Sequence, residues 1–83
     1  MTDQTEITIY ENAPTTGLGY GVYTATIAAQ NDTVTLSNFD TLIDGAVIKL
    51  EDNSALTFTL ATNVVTVTSS VTDEKVLIIM VGI

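Results

Sequence analysis

The sequence predicts an all-β fold: a compact antiparallel β-sandwich or small barrel of about seven short strands, immunoglobulin-like or jelly-roll-like in plan. Threonine is the commonest residue and, with valine and isoleucine, makes the chain heavily β-branched, which costs rotamer freedom in a helix and suits a pleated surface. Apolar and polar residues alternate in short runs, and turn-forming residues interrupt them roughly every ten positions, the spacing of small all-β domains. No window holds apolar groups at helical spacing with good helix formers between them.

The first strand is expected over Glu6 to Tyr10, with Ile7 and Ile9 on one side and Thr8 and Tyr10 on the other. Pro14 has no amide donor and restricts the residue before it, so Glu11 to Pro14 ends the strand. Thr15 to Gly21 reads as a loop in which Gly17, Gly19 and Gly21 alternate around Leu18 and Tyr20. A glycine-rich phosphate cradle would need a helix after it, and none follows. The glycines instead admit a neighbouring backbone or form a flexible arm that displays Leu18 and Tyr20.

A second strand runs from Val22 to about Ala28, with Tyr23, Ala25 and Ile27 opposite Val22, Thr24 and Thr26. Gln30, Asn31 and Asp32 turn the chain into a short third strand, Thr33 to Leu36. Asn31-Asp32-Thr33 matches the N-glycosylation pattern, but no secretory signal is visible at the start of the chain, so it is read as a turn. Ser37 to Asp44 is expected to be a loop that caps the core with Phe39, Leu42 and Ile43. Asp44-Gly45 reads as a tight turn.

The pattern then sharpens. Ala46, Ile48 and Leu50 share one face of a strand, with Val47, Lys49 and Glu51 on the other. Asp52-Asn53-Ser54 turns into a strand with Leu56, Phe58 and Leu60 on one face, making a hairpin. Ala61 to Asn63 turns again, and Val64 to Thr68 places Val65 and Val67 inward. Ser69 to Lys75 leads to the terminal strand.

That strand, Val76 to Ile83, is apolar on both faces: Val76, Ile78 and Met80 on one, Leu77, Ile79 and Val81 on the other. It is either central in a two-layer core or covered on its second face by another chain. Exposed, such a segment aggregates. The expectation is self-association, with Leu77, Ile79 and Val81, together with Leu18 and Tyr20, as contact residues.

At 83 residues the chain makes one domain, residues 1–83. A domain this small buries only about 60–65% of its unfolded surface, so its stability is thin unless disulfides, metals or association help, and without the first two it rests on idealised packing or association. There is no cysteine and no histidine, so disulfides and the usual zinc, iron–sulfur or haem ligands are excluded. Ten acidic residues against two lysines, Lys49 and Lys75, give a net charge of -8, which disfavours nucleic acid and anionic membranes as partners. The terminal apolar run is far shorter than the roughly 20 residues of a membrane-spanning helix.

No enzymatic chemistry is expected. Ser37, Ser54, Ser69 and Ser70 have no histidine to activate them, and the carboxylate pairs Glu51-Asp52 and Asp73-Glu74 lie in turns. Asp40, Asp44, Asp52 and Asn53 are oxygen donors of the kind calcium uses, but not in a recognisable spacing, and no cofactor is expected.

Thr33-Val34-Thr35-Leu36, Val64-Val65-Thr66-Val67-Thr68, the near absence of basic residues and the finish Val76-Leu77-Ile78-Ile79-Met80-Val81-Gly82 together resemble the small all-β head decoration, or capsid cement, proteins of tailed viruses. The resemblance is one of texture over most of the chain. It implies a structural protein of the virion, made in the host cytoplasm. It further implies a homo-oligomer, a trimer before other numbers, that binds a major capsid or other shell protein and reinforces the shell. No functional residue carries over from it. The competing expectation is a carbohydrate-binding or adhesive β-sandwich, for which Tyr10, Tyr20 and Tyr23 are the available aromatic groups and tryptophan is lacking.

Overall fold

A computed structural model of the chain describes residues 2–14 and 17–83. Nine strands follow in order: β1 Asp3–Gln4, β2 Ile7–Asn12, β3 Gly19–Ile27, β4 Thr33–Thr35, β5 Leu42–Lys49, β6 Ser54–Ala55, β7 Phe58–Ala61, β8 Val64–Val67 and β9 Glu74–Gly82. They form a four-stranded sheet, β1-β4-β8-β7, and a five-stranded sheet, β2-β3-β9-β5-β6. The all-β architecture and the two packed layers are as the alternation predicts.

The core lies between the sheets. Tyr23, Ala25 and Ile27 of β3, Val47 of β5 and Val76, Ile78 and Met80 of β9 enter it from the larger sheet. Val34, Val65 and Val67 enter it from the smaller. Leu36, Phe39 and Leu42 close one end, with Leu56, Phe58, Leu60 and Val71 packed at the margin. Each fully buried aliphatic or aromatic side chain contributes about 1.5–3 kcal/mol, which is the main source of stability in a chain without crosslinks.

β9 is the centre of the larger sheet, paired along its length with β3 and with β5. One of its two apolar faces is therefore internal. The other, with Leu77, Ile79 and Val81, looks away from the core.

Several expectations are corrected. The described residues form nine strands because β1 and β6, two residues each, are added, and the β1–β4 pair is parallel rather than antiparallel. β1 is held by Asp32, a carboxylate 1% exposed. Its Oδ1 accepts from the Thr2 amide at 2.9 Å. Its Oδ2 accepts from Gln4 Nε2 at 2.8 Å and from the amides of Ala28 and Ala29 at 3.0 and 3.2 Å.

Gly19, Tyr20 and Gly21 belong to β3, not to a loop; Thr15 and Thr16 of the expected loop lie outside the described residues. The close approach of a neighbouring backbone expected of the glycines holds at Gly19, where a Cβ would collide with the Asn12 carbonyl oxygen and the Pro14 nitrogen; at Gly21 it is the Tyr23 side chain that fills the space. Asp44-Gly45 is not a turn. Both residues lie in β5, beside a bulge between Leu42 and Asp44, and a Cβ on Gly45 would collide with the Ile79 carbonyl oxygen.

The expected hairpin is cut short. β5 pairs with β6 only at Ile48↔Ala55 and Lys49↔Ser54, after which the chain crosses to the other sheet and β7 pairs with β8. A second bulge, between Thr8 and Tyr10 in β2, breaks the alternation, so Ile7 lies opposite Thr24 and Tyr10 opposite Val22.

Candidate functional site

The two sheets present unlike outer faces. On the four-stranded sheet Val34, Val65 and Leu60 form an inward row, so the adjacent row Thr33, Thr66 and Thr59 points out. Asp3 Oδ1 accepts hydrogen bonds from the hydroxyls of Thr33 and Thr35 there, at 2.8 and 3.1 Å. That is the polar surface expected of a half-exposed sheet.

The five-stranded sheet is apolar outside. Its register places Tyr10, Val22, Ile79 and Ala46 in one outward row across β2, β3, β9 and β5. The next row is Ile7, Thr24, Leu77 and Ile48. Tyr20 and Val81 continue the surface towards the C-terminal end of β9. Ile7 is 64% exposed, Tyr10 52%, Tyr20 45% and Ile79 37%. The Tyr10 and Tyr20 rings are 5.6 Å apart, tilted by 33°.

Charge is nearly absent from this face. Among the described outward positions of its strands only Asp44, opposite Val81, and Lys75, opposite Thr26, are ionic, and they stand at opposite ends. Two further carboxylates of this sheet, Glu11 and Glu74, are engaged elsewhere. Glu11 accepts from the Tyr23 hydroxyl with one oxygen and from Asn38 Nδ2 with the other. Burial first, and the Glu11 carboxylate second, push the Tyr23 phenol well above its ordinary pKa, so it remains a neutral donor. Glu74 pairs with Lys49 at 3.5 Å.

Of the contact residues expected from sequence, Tyr20, Leu77, Ile79 and Val81 come together on this face, and Leu18, 68% exposed, immediately precedes β3. Sequence reasoning missed Ile7, Tyr10, Val22, Ala46 and Ile48. Ile7 and Tyr10 were hidden by the β2 bulge. The others needed knowledge of which strands flank β9.

Asp40, Asp44, Asp52 and Asn53 do not converge on one point: Asp44 Oδ1 accepts from the Gly45 amide, Asp52 Oδ1 from the Ser54 amide, and no trio of acidic groups is gathered for a metal among the described residues. No pocket opens among the described residues. No family model matches the chain, and no curated protein or solved structure matches it.

Proposed function

We propose that the chain is a non-enzymatic structural subunit that assembles through the outer face of its five-stranded sheet, in the manner of a viral capsid decoration protein. It associates with copies of itself and binds a larger shell, which it reinforces. The single observation that carries this reading is the contiguous apolar surface around Ile79, because a small protein that keeps such a patch uncovered exposes a β-prone sheet to aggregation. The contrast with the threonine-lined face of the other sheet supports it, since composition alone would have made both faces alike.

The Tyr10–Tyr20 pair favours a second reading, an aromatic platform for a sugar ring in a carbohydrate-binding module. A glycan array separates the two: a carbohydrate module gives saturable binding that Tyr20→Ser abolishes. The assembly reading is tested by native mass spectrometry of the full chain and of Ile79→Asp. It expects an oligomer in the first and a folded monomer in the second; a wild-type monomer at millimolar concentration overturns it.

A further inference from the structure

We infer that the apolar face packs against the same face of a second copy about a two-fold axis running across the strands at the level of Ile78, so that Lys75 of each copy meets Asp44 of the other. This rests on the assembly reading above and names its partner and geometry.

The first support is electrostatic. Each copy carries a net charge of -8, so most of its surface repels another copy. The outer face of the five-stranded sheet has one carboxylate and one ammonium among its described outward strand positions. It is the surface on which two copies of an acidic chain meet with least repulsion. A basic partner would be drawn to the carboxylates elsewhere.

The second support is the position of those two charges. Lys75 and Val81 are six residues apart in β9, about 20 Å at roughly 3.4 Å per residue, and Asp44 lies beside Val81 on β5. A face-to-face pair has two natural two-fold axes. An axis along β9 sets Lys75 over Lys75 and carries each Asp44 over Tyr20 of the other copy's β3, at the far end from either lysine, so it makes no opposite-charge pair. An axis across the strands reverses β9 over β9 and brings each Lys75 over Val81 of the other copy, one strand from Asp44. Like charges disfavour the first and opposite charges favour the second, twice per dimer.

Packing agrees with the same axis. It lays the row Tyr10, Val22, Ile79, Ala46 over the row Ile7, Thr24, Leu77, Ile48, so Ile79 meets Leu77 at the centre and Tyr10 covers Ile7. Four strands at about 4.8 Å and six residue steps project to roughly 400 Å² per copy, about 800 Å² in total, which is below a standard-size interface and in the range of weak, transient contacts. The dimer therefore exchanges with concentration. A face that meets its own copy closes with two subunits; the trimer implied by resemblance needs two different patches on each copy.

Sedimentation equilibrium of the full chain over a wide concentration range, with circular dichroism to verify folding, tests this. The wild type is expected to pass from monomer to dimer. Lys75→Asp and Asp44→Lys should each weaken association about tenfold or more, and the double exchange should restore most of it. Net charge cannot imitate that result: Asp44→Lys exchanges one negative for one positive charge, taking -8 to -6, and would strengthen association if bulk repulsion ruled. A trimer, or a dimer in which the two exchanges add instead of cancelling, overturns the two-fold pairing and leaves the assembly reading standing. A monomer at every concentration overturns both.

Discussion

Ile78 and Ile79 are neighbours in β9 with opposite surroundings: Ile78 is 0% exposed, between Tyr23 and Val47 in register, and Ile79 is 37% exposed, between Val22 and Ala46. An aspartate at position 78 would be an unpaired buried charge costing several kcal/mol. A domain of 83 residues has about 4–12 kcal/mol in total, at roughly 0.05–0.15 per residue. Ile78→Asp is expected to abolish the folded state. Ile79→Asp should cost about 1 kcal/mol or less in the monomer and lose self-association. Circular dichroism and solution mass check both; loss of folding in the two variants alike would show that the outward face is covered within one subunit.

Gly45 makes the contact between β5 and β9 possible. Its absent Cβ would collide with the Ile79 carbonyl oxygen and lie 2.6 Å from Met80 Sδ. The backbone atom cannot swing aside as a side chain would, so Gly45→Ala forces the central strands apart. The expected loss is about 1–3 kcal/mol, a fall in melting temperature of roughly 5–20 °C for a domain of this size. An unchanged melting temperature would mean that the strands relax freely here.

Asp32 ties the turn after β3 to the N-terminal strand, and its pKa is held below the ordinary 3.8 by hydrogen bonds, first from Gln4 and then from the Thr2 amide. A carboxyl depressed in the folded state contributes stability that is complete above its unfolded pKa and is lost as pH falls through the folded value. The chain should therefore lose stability below about pH 4 as Asp32 protonates. Asp32→Asn retains an acceptor but not the charge. It should melt lower than wild type at pH 7, and the gap should narrow towards pH 2. A constant gap across that range would refute the carboxylate's role.

The two-layer fold was legible because burial on one face imposes a period of two: Tyr23, Ala25 and Ile27, then Val65 and Val67, mark the core face directly. The apolar outer face of the five-stranded sheet was only half legible. β9 advertised it, being apolar on both sides. Ile7 and Tyr10 did not, because a bulge puts residues of opposite parity on one face, and a bulge has no residue signature of its own. Asp44-Gly45 misled for a related reason: the glycine serves a close strand approach, not a positive φ. The crossing from β6 to β7 depends on which layer Leu56 and Phe58 reach, and alternation alone does not choose between layers.

Leu18 and Tyr20 give the last prediction. Both are exposed, at 68% and 45%, so replacing them removes little from the core. Tyr20 is an outward residue of β3 opposite Val81, and its ring lies against that of Tyr10. Tyrosine anchors in protein contacts cost about 2 kcal/mol or more when truncated, roughly a thirtyfold loss of affinity. The double variant Leu18→Ser, Tyr20→Ser should keep the wild-type circular dichroism spectrum while its association weakens by that order. In the two-fold pairing Tyr20 also stands near Lys75 of the second copy, so Tyr20→Phe, which keeps the ring, should retain most of the affinity. Sedimentation of the three proteins side by side distinguishes a contact surface from a passive arm: unchanged association in the double serine variant would remove this end of β3 from the interface.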